Sequence, residues 1–323
     1  MRSVTSSRCE VEVPLRVVVA GATGVVGRTL LPMLRKQGHH VTALVRPTGR
    51  LPDPADVDDI VVADVLREEE LRQVLRAARP DVVVDQTSCF REVDLETGLR
   101  RTGQLREVGG RNLVAAAVAA GANRIIGHSM AAYSPRGHDV LDEDAPLWTE
   151  APGCWGEAVR GAAAAEEAVL NCSEIEAVVL RYGTLYGPGT EYAPGGAVHE
   201  RVRSSALPLV IDGAGLTSFT HVEDAAGAVV AVLDATPGVY NVVDNEPAEV
   251  AEWLPTYARM VGGPEPVALT QEQARAQLDW LTVYQLTEQR GASNFRLREE
   301  LGWRPVWPSW REGFAEMFGL WLG

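Results

Sequence analysis

The sequence predicts an α/β fold in which a doubly wound parallel β-sheet is joined by a smaller C-terminal lobe. Three observations lead to this prediction. Apolar, β-branched runs alternate with helical segments as far as about Tyr182, and a turn with three regularly spaced glycines joins the first run to the first helix. After Gly183 the alternation ends and glycine and proline become frequent, which indicates a different kind of segment.

The predicted strands are apolar enough along their length to be buried on both faces of a sheet. They span residues 16–20, 41–45, 59–63, 82–86, 124–128 and 177–182. The helical segments between them span residues 25–37, 68–78, 103–120 and 156–171. Strict alternation of this kind is typical of a doubly wound parallel sheet.

The C-terminal half predicts a return to the sheet followed by a tryptophan-rich lobe. We expect the return at 217–232 and 239–243, and helices near 250–261 and 270–278. The sheet domain is then predicted at 14–182 plus about 217–244, and the lobe at about 183–216 plus 245–323. Large aromatic side chains most often fill cores, so we assign six tryptophans to the core and edges of the lobe: Trp253, Trp280, Trp303, Trp307, Trp310 and Trp321.

The glycine-rich turn predicts a site for the pyrophosphate of a dinucleotide. Gly21 allows the chain to turn sharply after the first strand, Gly24 allows the backbone to approach the phosphates, and Gly27 allows the next helix to pack on the sheet. The N-terminus of that helix directs free N–H groups and a positive dipole end at the anion. The other residues predicted to contact the cofactor at this turn are Thr23, Val25 and Val26.

Composition and charge indicate a soluble small-molecule enzyme. The chain has 323 residues, and its net charge of −14 argues against nucleic acid and anionic membranes as partners. No apolar run reaches a membrane-spanning length, and residues 1–13 are too short and polar for a secretory signal. The four cysteines, at positions 9, 89, 154 and 172, have the spacing of neither a metal site nor a disulfide framework. We therefore expect a cytoplasmic protein that binds no metal.

Several motifs together carry a family resemblance. The glycine turn at 21–27 is followed by Tyr-Gly-Thr-Leu-Tyr-Gly-Pro-Gly at 182–189, Phe-Thr-His-Val-Glu-Asp at 219–224, Tyr-Asn-Val at 240–242 and Leu-Gly-Trp-Arg-Pro at 301–305. From about Leu15 to Phe314 the chain resembles the NAD-dependent epimerase/dehydratase family of the extended short-chain dehydrogenase/reductase superfamily. The resemblance implies a Rossmann-type NAD(P)-binding domain with a small-molecule substrate in the cleft beside the C-terminal lobe. It also implies a homodimer through the alanine-rich helices at 103–120 and 156–171.

The end of the second strand favours NADP(H) over NAD(H). NAD enzymes of this fold carry an acidic residue there for the ribose hydroxyls, whereas this chain carries Arg46, whose planar donors suit a 2′-phosphate. Asp64 resembles the adenine-binding acid of the family, but it is equally suited to a turn. The remaining predicted cofactor contacts are Val65, Thr87, Ser88, Tyr182 and Thr184.

The catalytic residues that the resemblance implies are only partly present. The family uses a Ser or Thr after the fifth strand, and a Tyr followed four residues later by a Lys that assists its proton transfer. Ser129 fits the first position. The tyrosine and lysine positions hold Trp155 and Val159 in one alignment, or Ala158 and Ala162 in another. The single lysine of the chain, at position 36, lies on the first helix, and Arg106 replaces an asparagine that relatives often carry.

Other groups are therefore candidates for supplying a proton. They are Tyr133, Tyr186, His128, His221 and a water held by Ser129, and His221 stands out because the pKa of histidine lies near working pH. Tyr186 and His221 each have an alternative interpretation as packed, hydrogen-bonded structural residues.

Three functions are compatible with this pattern. The first is an NADP(H)-dependent oxidoreductase that acts on a small-molecule carbonyl or alcohol in a biosynthetic tailoring step. The second is a redox-neutral epimerase, cyclase or dehydratase, and the third is a non-catalytic NADP-sensing regulator or scaffold. We favour the first two because the substrate-side segments 181–184 and 194–196 are retained.

Overall fold

A seven-stranded, all-parallel sheet forms the centre of the computed structural model, which describes residues 13–89 and 94–320. The strand order is β7-β6-β5-β4-β1-β2-β3. This confirms the predicted α/β fold with a Rossmann-type doubly wound sheet. The strands are β1 (Arg16–Ala20), β2 (His40–Val45), β3 (Asp59–Val62), β4 (Val82–Asp85), β5 (Arg124–Met130), β6 (Glu176–Tyr182) and β7 (Gly238–Val242).

The order of the strands creates a crevice at their carboxyl ends. The chain runs outward from β1 through β2 to β3 and then crosses to β4 on the other side of β1, with Val17 in register with both Val41 and Val82. The loops after β1 and β4 therefore leave the sheet in opposite directions. Ligands of open α/β sheets bind at such a switch point.

Helices cover both faces of the sheet because its strands are apolar on both sides. Val17 and Val19 pack against Leu30 and Val229 on one face, whereas Val18 packs with the helices on the other face. The helices are α1 (Gly27–Lys36), α2 (Glu68–Ala78), α3 (Leu95–Gln104), α4 (Arg111–Ala120), α5 (Gly153–Leu170), α6 (Ala197–Arg203), α7 (Val222–Ala231), α8 (Val250–Met260), α9 (Gln271–Gln277), α10 (Trp280–Thr287), α11 (Phe295–Leu301) and α12 (Trp310–Met317).

The helix predicted at 103–120 begins earlier and contains a π-helical segment. Asp94 caps α3 by accepting a hydrogen bond from the backbone N–H of Thr97 at 2.9 Å, and the π segment Leu105–Gly110 joins α3 to α4. Glycines in these helices allow α3 and α5 to pack closely. A Cβ on Gly103 would lie 2.7 Å from the carbonyl oxygen of Glu157, and one on Gly161 would overlap the backbone of Gly103.

The return to the sheet predicted at 217–232 is wrong. Leu216–Thr217 and Phe219–His221 form short strand pairs outside the main sheet, and the following apolar run forms α7 on the sheet's surface. A short apolar run rich in Ala and Val does not distinguish a buried strand from a buried helix. The second predicted segment, 239–243, does join the sheet as β7.

The C-terminal lobe has its own aromatic core. Trp253 and Trp310 are buried there with Phe314, whereas Trp280 is 40% exposed and Trp321 lies outside the described residues. Four two-stranded pairs complete the structure: Leu216–Thr217 with Ala248–Glu249, Phe219–His221 with Thr184–Tyr186, Ala268–Leu269 with Leu209–Val210, and Gly291–Ala292 with Val140–Leu141. The exact boundary between lobe and sheet domain stays a prediction.

The predicted dimer helices expose charged side chains. Arg100 pairs with Glu96 on α3 and with Glu157 on α5, so charge pairs occupy part of the outer surface of these helices. Homodimer formation stays a prediction. In the part of the chain that the structure describes, no helix is both long and apolar enough to cross a membrane.

Candidate functional site

The glycine turn is held against the end of β4. Gly21 has a φ of 76°, and a Cβ at this position would overlap the carbonyl oxygen of Gln86. A Cβ on Gly27 would likewise overlap Gly21. The N–H of Gly24 closes the turn on the oxygen of Gly21 at 2.9 Å. Only glycine fits at positions 21 and 27, so the roles predicted for them in turning the chain and packing α1 agree with the local geometry.

Polar groups without partners adjoin this turn, as a dinucleotide site requires. The hydroxyl of Tyr182 donates to Oε1 of Gln86 at 3.2 Å, while Nε2 of Gln86 and Oγ1 of Thr87 are buried and have no hydrogen-bond partner among the described residues. Buried polar atoms are rarely left unsatisfied. These residues fit the hydroxyl-rich ribose of a dinucleotide, with the exposed Ser88 and half-buried Thr184 at the same edge.

The adenosine end of the crevice carries the predicted arginine. Arg46 is exposed immediately after β2, where its carbonyl oxygen accepts the N–H of Gly49 at 2.8 Å. Asp64 accepts the N–H of Leu66 at 3.0 Å, which is the turn role that sequence analysis left open. Val65 is buried after β3. A contact between Asp64 and adenine stays a prediction.

The structure places Ser129 in a buried polar network. Its side chain is fully buried and its hydroxyl donates to Glu166, which also accepts from Arg181 at 2.8 and 3.0 Å. Arg181 in turn donates to the carbonyl oxygens of Glu143 and Ala145. This network ties β5 and β6 to α5. This placement favours a structural role for Ser129 over the predicted catalytic position and over the predicted role of holding a water.

Tyr186 lies in the core of the lobe, away from the sheet edge. It is fully buried, its hydroxyl has no partner among the described residues, and its ring packs against Gly313. Burial raises the pKa of Tyr186 far above its usual value, and the carboxyls of Asp244 and Asp224 add to the effect. A phenol that ionises so reluctantly is a poor proton donor, so the geometry argues against the predicted catalytic role.

His221 caps a helix. Its Nδ1 accepts the backbone N–H of Glu223 at 3.3 Å at the start of α7, and burial lowers the pKa of His221 to about 4. The imidazole is therefore neutral near pH 7 and has no proton on Nδ1. These observations favour a structural role for His221, as the cap of α7, over the predicted role of supplying a proton.

The positions at which the family resemblance implies a tyrosine and a lysine are buried in an apolar cluster. Trp155, Ala158, Val159 and Ala162 all lie on the inner face of α5, with Tyr133 among their neighbours in the cluster. Neither alignment therefore provides an acid or base. The single lysine is exposed in the last turn of α1.

A second polar network lies at the carboxyl ends of β4 and β5. Nη1 of Arg106 donates to the hydroxyl of Tyr133 at 3.1 Å, and Nη2 donates to Nε2 of His128 at 3.3 Å. Nδ1 of His128 lies 2.9 Å from the carbonyl oxygen of Asp85 and must carry a hydrogen, because a carbonyl can only accept. Trp155 contacts the Tyr133 ring edge-on, with centroids 4.9 Å apart.

The electrostatics of this network keep His128 neutral. Burial and the charge of Arg106 lower the pKa of His128 to about 3. Burial raises the pKa of Asp85, while the hydrogen bond from the backbone N–H of Thr87 and the charge of Arg106 act in the opposite direction. His128 is thus neither a proton donor nor an effective base near pH 7. The sequence identified Arg106 only as a departure from the family, and its contacts with Tyr133 and His128 were not predicted. The arginine in place of the family's asparagine was the available sign of a polar contact at this position.

The chain belongs to the NAD dependent epimerase/dehydratase family, whose model matches residues 17–242. It is 48% identical over 306 residues to a 3-diazoavenalumate denitrifying reductase from a Streptomyces species, covering 93% of this chain and 99% of the relative. It is 27% identical over 319 residues to a ceramide reductase from Caulobacter vibrioides, covering 94% of this chain and 90% of the relative.

Solved structures show the same fold. WbmG from Bordetella bronchiseptica, in complex with NAD, has a TM-score of 0.73 at 20% identity and covers 96% of this chain and 95% of its own. The human epimerase family protein SDR39U1, with NADPH, has a TM-score of 0.70 at 22% identity and covers 94% of this chain and 99% of its own. The family and these comparisons make the protein an oxidoreductase or epimerase with a nicotinamide cofactor.

We predict that replacing His128 with glutamine weakens the dependence of stability on pH in mild acid. The pKa of His128 is about 3 in the folded chain, against an ordinary value of 6.5 for histidine. Between these values the unfolded chain binds a proton that the folded chain does not, so the free energy of unfolding falls as the pH drops. From pH 6.5 to about pH 4.5, wild-type protein should lose roughly 2 kcal/mol more than His128→Gln in urea titrations.

The matched control is His138→Gln, because His138 is exposed. This variant should follow the wild type over the same pH range, and His221 contributes the same acid sensitivity to all three proteins. Equal pH slopes for wild type and His128→Gln would contradict a buried, neutral imidazole.

Proposed function

We propose that this protein is an NADP(H)-dependent reductase that adds hydride to a small electrophile without a tyrosine–lysine pair, and that the electrophile carries a diazo group. The observation behind the proposal is the apolar burial of all four positions where that pair would stand. An ammonium group or a proton-transferring phenol at these positions would lose its solvation. The enzyme therefore suits a reduction that takes no proton from those positions.

A diazo group is an acceptor of this kind. Reduction of a carbonyl leaves an alkoxide that must be protonated, whereas R–N₂⁺ and a hydride give R–H and N₂, with atoms and charge balanced. A bound NADPH supplies the hydride. The name of the Streptomyces relative describes a reductase that removes nitrogen from a diazo compound, and the identity of 48% over nearly the whole of both chains supports the same chemistry here.

The residues of the crevice support the choice of cofactor. The glycine turn fits a pyrophosphate, and Gln86 and Thr87 offer buried polar atoms beside it. Arg46 presents a forked donor at the end of β2, in the place where an acid would repel a 2′-phosphate. NADP(H) is therefore the proposed cofactor, and a tailoring step in small-molecule biosynthesis is the proposed setting.

Carbonyl reduction is the second candidate. The contact between Arg106 and Tyr133 favours it, because the hydroxyl of Tyr133 is a possible proton source next to a fixed cation. The likeness to a ceramide reductase gives further support. A redox-neutral reaction or a regulatory role has less support, since both of these relatives are named as reductases.

We predict that NADPH binds about tenfold or more tightly than NADH, because a charge-assisted, forked contact with a phosphate is strong. Arg46→Ala should bring the two dissociation constants together, as measured by quenching of tryptophan fluorescence. Arg72→Ala is the control, because Arg72 pairs with Glu68 on the exposed side of α2. Equal affinities in the wild type would refute the role of Arg46.

We predict that the protein releases one N₂ for each NADPH oxidised when it is given an aromatic diazo carboxylic acid. The reason is that hydride replaces the leaving nitrogen without any other reductant. Mass spectrometry of the gas phase measures the N₂ released, and the loss of absorbance at 340 nm measures the NADPH oxidised in the same sample. Oxidation of NADPH by ketones but by no diazo acid would instead establish the carbonyl reductase.

A further inference from the structure

Arg106 is a buried cation that forms no ion pair among the described residues, although its charge acts on the nearby carboxyl of Asp85. Its side chain is 2% exposed, and among residues 13–89 and 94–320 no carboxylate lies within ion-pair distance of its guanidinium. Its Nε is also buried without a hydrogen-bond partner. Burying an ion without its counter-ion is costly, so a position that retains one is a candidate for function. The π-helical segment that carries Arg106 is itself a feature common at functional sites.

The hydrogen bonds of Arg106 leave the proton of the Tyr133 hydroxyl without an acceptor among the described residues. A guanidinium only donates, so the oxygen of Tyr133 and Nε2 of His128 both act as acceptors. The hydrogen on Nδ1 of His128 is directed at the carbonyl oxygen of Asp85. Two protons of the network then lack an acceptor among the described residues, the Nε–H of Arg106 and the hydroxyl proton of Tyr133.

This hydroxyl lies at the edge of the sheet where the proposed reaction takes place. His128 lies two residues before the end of β5 and beside Tyr182, with ring centroids 5.7 Å apart, and Tyr182 contacts Gln86 next to the glycine turn. His128 is partly exposed whereas Tyr133 is 1% exposed, so the imidazole is the part of the network that is accessible from outside. The indole of Trp155 fixes the ring of Tyr133 from the side of α5.

We infer that the hydroxyl of Tyr133 donates a hydrogen bond to an oxygen of the hydride acceptor, and that Arg106 positions this hydroxyl and stabilises negative charge on that oxygen. The acceptor is therefore an electrophile with an oxygen conjugated to its reacting centre. This inference rests on the proposed reductase function. Tyr133 touches the substrate and is a catalytic residue in this account, whereas Arg106 acts through it and is a positioning residue.

The charge of Arg106 narrows the class of diazo substrate. A diazonium cation without a compensating charge would be repelled by the buried guanidinium. A diazo group conjugated with an oxygen is neutral overall, with negative charge on the oxygen and positive charge on the nitrogens. A hydrogen-bond donor at the oxygen strengthens this separation of charge. Transfer of a hydride to R(O⁻)–N₂⁺ then gives R(O⁻)–H and N₂.

The test uses 4-nitrophenol as a probe of the oxygen site, because its phenolate absorbs visible light and its binding needs no turnover. With saturating NADP⁺ and at fixed pH, wild-type protein should hold a larger phenolate fraction of the probe than free solution does. Tyr133→Phe and Arg106→Gln should abolish this excess, and Arg106→Lys should restore part of it. With NADPH and the substrate, Tyr133→Phe should lower kcat by about 100-fold while its NADPH affinity stays within about twofold.

Tyr284→Phe is the matched control, because Tyr284 packs in the same cluster and donates only to the carbonyl oxygen of Ser134, at 3.3 Å. It should behave as the wild type in every assay. No excess phenolate in the wild type, or the same excess in Tyr133→Phe, would overturn the inference. If no acceptor is reduced but the probe results hold, the proposed reaction fails and the oxygen site stands. If reduction succeeds and the probe results fail, only the oxygen site is lost.

Discussion

The close packing of α5 against the rest of the molecule is the constraint on which this active site depends. Gly103 and Gly161 let the backbones of α3 and α5 approach so closely that no Cβ fits between them. The inner face of α5 is then sealed by Ala158 and Ala162, which are fully buried. A lysine here would need both space and solvent, and the packing supplies neither. The acid–base chemistry of the family therefore has no place on this helix.

The family resemblance implies a lysine charge on α5, whereas the buried charge of this chain lies on the segment between α3 and α4. The buried guanidinium of Arg106 reaches Tyr133 and His128 at the carboxyl ends of the strands. A guanidinium stays charged at any working pH and cannot deliver a proton, unlike a lysine ammonium. It stabilises negative charge on a bound ligand. A fixed positive charge that delivers no proton suits the proposed enzyme, which transfers hydride and binds an oxygen of its substrate, whether or not that oxygen is protonated.

The parts of the fold with local physical causes could be predicted from the sequence. The glycine turn and the buried strands depend on neighbours in the chain and on apolar periodicity. The Ser129 network could not be predicted, because it joins Glu166 and Arg181 from separate elements. The contact between Arg106 and Tyr133 was hidden for another reason. Arg106 lies inside the π-helical segment Leu105–Gly110, whose turns differ from 3.6 residues, so the ordinary helical period does not give the direction of its side chain.

The central claim, hydride transfer without an accompanying proton, is tested most directly by isotope tracing. The diazo acid is reduced with NADPH that carries deuterium at the transferable position in H₂O, and with unlabelled NADPH in D₂O. The account predicts deuterium at the carbon that lost nitrogen only in the first case, and equal rates in H₂O and D₂O at saturating substrate. Deuterium incorporated from the solvent at that carbon, or a severalfold slower reaction in D₂O, would contradict it.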